Sequence, residues 1–547
     1  MSLLQGLVAD RVASRLFGHD TSVFVPASAR TALQEAVRNR LGWLDVPEKM
    51  AAEPAGLEAF VDAVRADGLS NVCLLGMGGS SLCAEVFRET FSQAARGASL
   101  TVLDTTDERT IDRVTAALNP ARTLFLVASK SGSTIEVKSL ERHFGSLMTR
   151  AVGDQAGRHF VAITDPGTSL VSHARDHQYR HVFRNPPDIG GRYSALSLFG
   201  LVPAALLGAD VTALLEAGRA MAGRCREDTI DNPGLALGAF MADQALTGRD
   251  KLTILLPPRL APLGQWIEQL IAESTGKEGR GVLPVVDEPA GPPADYGGDR
   301  AFVVVRTSES REVEQRAAAL AAAGHPVFEV DAAADGLGAE FFRWEFATAV
   351  SGALLGINPF DEPNVGEDKK RTQALLDAFH ETGALAVDPP LKPVEKIPGC
   401  LVRENRVAQP SGPAASGRYV ALLDYLPVDR GRPAAVSRLR QRIRHVTLTH
   451  AATTHGFGPR YLHSTGQYHK GGPSTGLFIL LTAPDETTTP VPGTDYSFSV
   501  LKQAQALGDF NALVAAGRDV VHLHVDQPAA DFSSVLEKVL WDWPYFS

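Results

Sequence analysis

The stretch Val72-Cys73-Leu74-Leu75-Gly76-Met77-Gly78-Gly79-Ser80-Ser81 joins an apolar run to small and polar residues. A second stretch repeats the pattern, with Leu124-Phe125-Leu126-Val127-Ala128 followed by Ser129-Lys130-Ser131-Gly132-Ser133-Thr134. Each apolar run predicts a buried strand, and each polar run predicts a turn into a helix. Glycine lets the main chain approach an anion, hydroxyl groups donate to its oxygens, and a helix N-terminus adds partial positive charge. Both stretches therefore predict phosphate-binding loops.

Neither loop has the sequence of a nucleotide-binding loop. No Lys-Ser or Lys-Thr pair closes a six-residue glycine frame, and the glycine spacing differs from the dinucleotide-binding fingerprint. We therefore expect the bound anion to be a sugar phosphate rather than a nucleotide.

Strand-like runs alternate with helical patterns on both sides of these loops, which predicts parallel sheets covered by helices. One set of runs comprises 71–75, 100–103, 123–128 and 160–164, and a second comprises 252–256, 302–305 and 327–330. The predicted fold class is α/β, with two tandem parallel-sheet lobes and a smaller carboxyl-terminal α/β lobe. The predicted domains are a helical amino-terminal segment (1–65), a first lobe with the phosphate loops (66–230), a second lobe (231–375), a helical segment and linker (376–417), and a carboxyl-terminal lobe (418–547).

The composition indicates which partners and which cellular location to expect. The chain of 547 residues has 53 basic and 63 acidic residues and a net charge of -10, so we expect no broad surface for nucleic acid. The longest uncharged run, Tyr193 to Ala209, is interrupted by Gly and Pro, so we expect no membrane insertion. The four cysteines show no Cys-x-x-Cys spacing, which favours a reduced, cytoplasmic protein.

Two further segments carry charged candidates. Asp188-Ile189-Gly190-Gly191-Arg192-Tyr193-Ser194 presents one arginine at a glycine turn, where it can stabilise an oxyanion or simply cap the next helix. Glu273 lies near the end of a helical pattern that stops at Gly276, where a raised pKa would suit a general base. The alternative for Glu273 is a solvated surface pair with Lys277.

The remaining candidates lie in two polar segments. In the segment 358–370, either Lys369 or Lys370 can reach a substrate oxygen, and the alternative is that the two adjacent lysines are surface charge. The segment 460–473 is rich in Gly, His and polar residues, and a zinc site from His463 and His469 lacks a third ligand at a recognised spacing. We therefore predict neither a metal nor an organic cofactor.

In combination, these segments resemble the phosphoglucose isomerase family. That family contains a Gly-x-Gly-Gly-Ser loop, a Ser-Lys-[Thr/Ser] loop, a Gly-Gly-Arg-[Phe/Tyr]-Ser signature, a Glu-Ser-x-Gly-Lys helix end and a Phe-Asp-Gln-x-x-Val-x-x-x-Lys signature. All five have counterparts here in the same order, between about residues 66 and 375. The resemblance implies sugar-isomerase (SIS) sandwich lobes for both halves. The chain also resembles the isomerase half of fused transaldolase/phosphoglucose isomerase proteins, through Asn39 to Leu44 and Leu462 to Gln467.

The resemblance implies interconversion of glucose 6-phosphate and fructose 6-phosphate, in glycolysis and gluconeogenesis, through a cis-enediol. It implies that Glu273 moves the proton between C2 and C1, that Arg192 stabilises the enediolate, and that His463 and Lys369 open the ring. The implied substrate-binding residues are Gly79, Ser80, Ser129, Lys130, Ser131 and Thr134. Family members usually form dimers that share a histidine, so the resemblance implies that this chain can form a homodimer. The question of which subunit supplies His463 stays open.

Two departures from the family pattern stand out. Between the Glu273 and Lys369 segments, where the family has its ring-opening histidine, this chain has only His325, in a Gly-His-Pro turn. The Leu-His-Ser-x-Gly-Gln motif appears after the lysine instead, so His463 is the candidate. Glu362 replaces the glutamine of the family signature.

Two other functions fit the same lobes. A dual phosphoglucose/phosphomannose isomerase would use the same base chemistry, and activity on mannose 6-phosphate would distinguish it. A non-catalytic SIS-domain regulator that binds sugar phosphate would need the phosphate loops but not Arg192, Glu273 and Lys369 together.

Overall fold

Three β-sheets organise the described part of the chain and confirm the predicted α/β fold class. The structure, a computed structural model, describes residues 1–26, 28–91, 97–308, 310–333, 336–394, 400–405, 417–427, 432–446 and 450–526. Two of the sheets are entirely parallel, and the third is mixed.

Helices come before the first sheet, as predicted for residues 1–65. Their apolar residues join those of both parallel-sheet regions in one continuous core, in which Trp43 is fully buried. The helices are α1 (Leu3–Ala9), α2 (Val12–Phe17), α3 (Thr31–Arg38), α4 (Val46–Lys49) and α5 (Glu53–Ala66).

The first sheet has five parallel strands in the order β2-β1-β3-β4-β5. Its middle strands β3 and β4 are buried along their whole length, as expected where helices cover both faces. The strands are β1 (Asn71–Gly76), β2 (Ser99–Leu103), β3 (Thr123–Ala128), β4 (Phe160–Thr164) and β5 (His181–Arg184), and the helices are α6 (Leu82–Phe91), α7 (Glu108–Ala117), α8 (Ile135–Val152) and α9 (Ser169–Asp176).

Three helices connect the first sheet to the second, which has four parallel strands in the order β7-β6-β8-β9. The connecting helices are α10 (Leu198–Leu206), α11 (Val211–Cys225) and α12 (Pro233–Leu246). The elements of the second sheet are β6 (Lys251–Leu255), α13 (Leu263–Thr275), β7 (Leu283–Val285), β8 (Arg300–Arg306), α14 (Arg311–Ala322), β9 (Val327–Asp331) and α15 (Leu337–Leu355). Helix α15 packs against α11, α12 and α13, and this packing joins the connecting helices to the second sheet.

Helix α16 (Pro363–Thr382) leads to the third sheet, whose order is β10-β11-β15-β14-β12-β13. Proline in its first turn and Gly383 in the left-handed conformation after its end explain its bounds. The other elements are β10 (Lys392–Pro393), β11 (Cys400–Asn405), β12 (Tyr419–Asp424), α17 (Arg432–Val446), β13 (Ala452–Phe457), α18 (Gly466–Gly471), β14 (Gly476–Thr482), α19 (Phe498–Ala515) and β15 (Asp519–Val525).

The segment 376–417 differs from its predicted description as helix and linker. Strand β11 belongs to the third sheet, where it pairs antiparallel with β15. The polar residues of β11 do not indicate a buried strand. Arg403 is nevertheless buried, where it donates to His522 and lies over the ring of Phe510. Most of the predicted linker sequence, Ala408 to Gly417, lies outside the described residues. The predicted domain boundaries themselves stay predictions.

No helix in the described part of the chain is both long enough and apolar enough to cross a bilayer. All four cysteines are buried and free.

Candidate active site

The first predicted phosphate loop follows β1 and is packed tightly between two other segments. A methyl group at Gly79 would lie 2.1 Å from the carbonyl oxygen of Gly191, and one at Gly78 would lie 2.8 Å from that of His463. Gly78 also has a φ of +53°. The glycines therefore serve close packing, and they bring the loop against the arginine and histidine segments. Ser80 is buried, and its hydroxyl makes no hydrogen bond with the described residues.

The second loop connects β3 to the N-terminus of α8. The hydroxyl groups of Ser129 and Thr134 lie 3.1 Å apart, and those of Ser131 and Ser133 lie 2.9 Å apart. Thr134 immediately precedes a helix of 18 residues, whose first backbone N–H groups point to the loop. The loop therefore presents clustered hydroxyl donors at a helix N-terminus. Lys130 is paired with Asp165, which directs its charge to the next strand's loop.

Arg192 is buried rather than exposed as a helix cap. Its Nε donates to Ser274 at 2.8 Å, and its Nη2 donates to the carbonyl oxygens of Pro359 and Asp361 at 2.7 and 3.0 Å. Its Nη1 donates to Glu362 at 3.0 Å. The guanidinium thus ties the first lobe to the helix end that follows β6 and to the loop before α16.

The amino-terminal segment that contains Gly42 and Trp43 packs against the turn that carries Arg192. Gly42 donates its backbone N–H to the carbonyl of Asp188 at 3.0 Å. The ring of Trp43 lies 5.1 Å from the ring of Tyr193, next to Arg192. A segment near residue 40 therefore positions a turn near residue 190.

Glu273 lies in the last turn of α13, a helix in which every residue from Trp266 to Thr275 is buried. Its Oε1 is 3.5 Å from Nη1 of Arg192, and its Oε2 accepts from Gln269 at 3.1 Å. Burial raises the pKa of Glu273, Arg192 lowers it, and the nearby Glu362 carboxylate raises it. Glu273 is therefore a buried carboxylate with increased proton affinity.

The solvated pair of Glu273 with Lys277 does not form. Both residues are buried, and Lys277 donates to the carbonyl of Asn358 at 2.6 Å and contacts Asp361 at 2.9 Å. Burial lowers the pKa of Lys277 to about 8. Lys277 therefore fixes the loop before α16 and leaves Glu273 to Arg192.

His463 comes from the third lobe and reaches the first. It lies in the short helical turn Arg460–His463 after β13, and its Nε2 is 2.9 Å from Oε1 of Glu136 in the first turn of α8. Gln505 of α19 donates to the same Glu136 oxygen at 2.7 Å, and Thr106 donates to Gln505 at 2.9 Å.

The pKa of Glu136 is lowered although the residue is buried. Burial alone would raise it, but the charge of His463 and the hydrogen bond with it outweigh that effect. Glu136 therefore remains an anion that orients the His463 ring.

The main chain of His463 contacts the two other lobes. Its carbonyl oxygen accepts from Gln269 of α13 at 2.7 Å, and the same oxygen lies against Gly78. Gln467, three residues after Ser464, bridges the carbonyl of Gly276 at 2.9 Å and the side chain of Asn364 at 2.8 Å. The carboxyl-terminal motif is therefore a joint between the first and second lobes within one chain.

A cavity of ≈ 140 Å³ lies between the second phosphate loop and this motif, and Thr134, Glu136, Lys369 and His463 are among its lining residues. Lys370 lies outside it, paired with Glu367 at 3.2 Å, with 77% of its side chain exposed. The choice between the two lysines therefore favours Lys369.

Among the described residues, no group of three His, Cys, Asp or Glu side chains could hold a metal ion. His469, considered above with His463 as a zinc ligand, is buried beside the rings of Tyr419 and Phe478.

Four supporting residues were not found from the sequence: Glu136, Gln269, Gln467 and Gln505. Glu136 had a usable signal, since it follows the phosphate loop in the first turn of a helix. Gln467 ends the motif that supplied His463, but its bridging role was not predicted. Gln269 and Gln505 have no distinctive sequence context, because a glutamine inside a helix is common.

The chain is similar to known proteins of one family. The phosphoglucose isomerase family model matches residues 58–297. The chain is 30% identical over 397 residues to the glucose-6-phosphate isomerase of Heliobacterium modesticaldum, which covers 61% of this chain and 87% of that relative. It is 29% identical over 397 residues to the glucose-6-phosphate isomerase of Rubrobacter xylanophilus, which covers 63% of this chain and 91% of that relative.

A solved structure of a glucose-6-phosphate isomerase from Chlamydia trachomatis is similar in fold. It has a TM-score of 0.56 at 18% sequence identity, over 69% of this chain and 86% of that chain. A hypothetical protein from Thermus thermophilus has a TM-score of 0.59 at 24% identity, over 68% of this chain and 94% of that chain.

Proposed function

This chain belongs to the phosphoglucose isomerase family, and we infer that it interconverts glucose 6-phosphate and fructose 6-phosphate. One observation connects this inference to the site. Glu273 is buried 3.5 Å from Arg192, and the side chain of Gln269 donates both to Glu273 and to the main-chain oxygen of His463. A carboxylate base, a fixed cation and a histidine acid can together move the proton, stabilise the enediolate and open the ring of a sugar phosphate.

The proposed phosphate anchor is the second loop, through Ser129, Ser131 and Thr134. Its support is the cluster of hydroxyl groups at the N-terminus of α8, which can replace the water around a phosphate dianion. Lys130 is proposed to add charge from beside the loop, although it also pairs with Asp165.

The first loop is proposed to contact the sugar. Ser80 supports this assignment, because its hydroxyl makes no hydrogen bond with the described residues and remains available to a ligand. Gly79 is proposed to shape the wall through its close packing on Gly191.

Ring opening is proposed to use His463 as the acid at the ring oxygen, with Lys369 beside it. The Glu136 carboxylate supports this role by orienting the ring, because its Oε1 lies 2.9 Å from Nε2 of His463. Lys369 lines the same cavity.

Proton transfer is proposed to use Glu273 between C2 and C1. The carboxylate takes the C2 proton and leaves the enediolate charge on O1; the O2 hydroxyl proton then passes to O1, and the same carboxylate returns a proton to C1 as the C2 carbonyl forms. Arg192 has four hydrogen bonds to protein groups, so we propose that it stabilises the enediolate through its charge.

A coupled assay with glucose 6-phosphate tests the inference, with exchange of the C2 hydrogen for deuterium in heavy water as a second measurement. We expect turnover and exchange together. Binding of the sugar phosphate with neither turnover nor exchange would overturn the assignment in favour of a regulator. The same assay with mannose 6-phosphate tests whether the activity is dual.

We further propose that His463 serves its own chain, since a single chain brings it to Glu136. Mixing Glu273→Gln and His463→Ala proteins tests this within a homodimer. We expect no recovery of activity, whereas recovery in mixed dimers would require a shared histidine.

The displaced histidine motif also supports the proposed kinship with the isomerase half of fused transaldolase/phosphoglucose isomerase proteins. We propose a cytoplasmic location, supported by the four free, buried cysteines. The net charge of -10 supports the absence of nucleic-acid partners.

A further inference from the structure

Glu362 is a second carboxylate on the guanidinium that contacts Glu273. Nη1 of Arg192 lies 3.0 Å from Oε2 of Glu362 and 3.5 Å from Oε1 of Glu273. The side chain of Glu362 is 41% exposed, whereas that of Glu273 is 10% exposed. One nitrogen atom therefore faces two carboxylates, one partly exposed and one buried.

The position of Glu362 is held by more than its own ion pair. Nη2 of Arg192 donates to the carbonyl oxygens of Pro359 and Asp361, in the loop that carries Glu362. Lys277 fixes the same loop through Asn358 and Asp361. Glu362 therefore keeps its place relative to Arg192, and its charge acts at a fixed distance from Glu273.

A glutamine at this position could make the same hydrogen bond, because an amide oxygen accepts from a guanidinium as a carboxylate oxygen does. The geometry of Arg192 thus requires an acceptor at residue 362 but not a charge. The negative charge is an additional property of this chain, and its effect falls on the other carboxylate of the cluster.

We propose that Glu362 is a positioning residue that shares the Arg192 guanidinium with Glu273 and thereby weakens the hold of that cation on the base. This proposal rests on the proposed role of Glu273. Its consequence is a base that binds a proton more readily than it would beside an undivided arginine.

The charges around Glu273 agree in sign with this proposal. Arg192 comes from the turn after Gly190, Glu362 from the loop before α16, and His463 from the turn after β13. Burial raises the pKa of Glu273, Arg192 and His463 lower it, and Glu362 raises it.

Burial would raise the pKa of Glu362 as well, but the charge of Arg192 and its hydrogen bond lower it, so Glu362 remains charged. Tyr193 stays neutral, because burial raises its pKa. Lys277 pairs with Asp361 at 2.9 Å, and its charge also lowers the pKa of Glu362.

The test compares Glu362→Gln with Glu362→Ala, using the pH profile of kcat/KM for glucose 6-phosphate. Glu362→Gln keeps the hydrogen bond and removes the charge, so the acidic limb should move to lower pH by about 0.5–1 pH unit. Glu362→Ala should show the same shift and also lose about tenfold in kcat/KM on the plateau, because Arg192 loses an acceptor. Substrate titration is common to all the proteins and cancels in the comparison.

Glu367→Gln is the matched control, since Glu367 lies in α16, is exposed and pairs only with Lys370 among the described residues. Its acidic limb should coincide with that of the parent protein. An unchanged limb in Glu362→Gln overturns the proposal, and so does a shift seen in Glu362→Ala alone, which would assign the effect to packing. Retained deuterium exchange in Glu273→Gln would instead refute the base assignment itself, so the two failures are distinguishable.

Discussion

Glu273 and Glu136 are both buried carboxylates that the charge of His463 affects, but their pKa values shift in opposite directions. Glu273 contacts a guanidinium that also holds Glu362, and the contact is 3.5 Å long. Glu136 lies 2.9 Å from the His463 ring and receives a second hydrogen bond from Gln505.

The difference teaches that burial alone does not determine the role of a carboxylate. Burial raises the pKa in both cases, and the neighbouring donors decide whether the rise persists. Glu273 is left ready to accept a proton, as a base requires. Glu136 is held as an anion, as suits a carboxylate that orients the proposed ring-opening histidine.

The largest expected effect is that of Glu273→Gln. It should lower kcat by about 10³-fold or more and abolish deuterium exchange at C2, because no other group is proposed to carry that proton. Calorimetry should still detect sugar-phosphate binding through the loop at Ser129. Glu278→Gln, beyond the end of the same helix, is the exposed control and should retain activity. Retained exchange in Glu273→Gln would remove the base from this comparison.

His463→Ala should have the next largest effect. We expect about 10²-fold loss with cyclic glucose 6-phosphate and a smaller loss with an open-chain substrate, because only ring opening needs the acid. Steady-state rates with both substrates measure the difference. His445→Ala removes a histidine that is 56% exposed and serves as the control. Equal losses with the two substrates would count against the assignment.

Glu136→Gln should resemble a mild form of His463→Ala. The amide keeps the size of the side chain but replaces the carboxylate that pairs with the His463 ring, so we expect about tenfold loss with the cyclic substrate. Deuterium exchange on the open-chain substrate should be nearly unchanged. A loss of exchange as large as that of Glu273→Gln would show that the two carboxylates do not have separate roles.

The smallest expected effects concern the stability of the fold, which Glu136→Gln and Glu273→Gln should change in opposite directions. Because the pKa of folded Glu136 is lowered, its charge stabilises the fold above the usual carboxyl pKa of about 4.3 and loses this effect as pH falls further. Because the pKa of folded Glu273 is raised, its charge destabilises the fold once pH rises through the folded pKa, and this cost is absent in acid.

At pH 7, Glu136→Gln should therefore lower the apparent Tm and Glu273→Gln should raise it, each by an amount on the order of 1 °C. Scanning calorimetry at one scan rate measures both changes, and repeating it near pH 4 should reduce them. Shifts of the same sign at pH 7 would break the comparison between the two carboxylates.

The fold class was predictable because its signals are local. The run Thr123 to Ala128 coincides with β3, since a continuous apolar run before a glycine-rich turn has few alternatives to a buried strand. Strand β11 was not predictable, because Arg403 contradicts a buried strand until Phe510 and His522 are packed against it.

The candidate site divides in the same way. Arg192, Glu273 and Lys369 each lie in a motif of several recognisable residues. The sequence alone therefore identified them as candidates. The choice of Lys369 over Lys370 needed the direction of each side chain on α16. The choice of Glu273 as a buried group, rather than a surface partner of Lys277, needed the packing around α13.

By itself, the sequence determined the alternation of strands and helices, the two phosphate loops, the family and the residues in its motifs. These depend on the chemistry of short segments, which each segment carries with it. Only the tertiary structure decided the partners: His463 meets Glu136 across 327 positions of chain, and Arg192 meets Glu362 across 170. Such pairs depend on how three lobes pack together, because a side chain acquires its proton affinity from neighbours that the chain brings close only after folding.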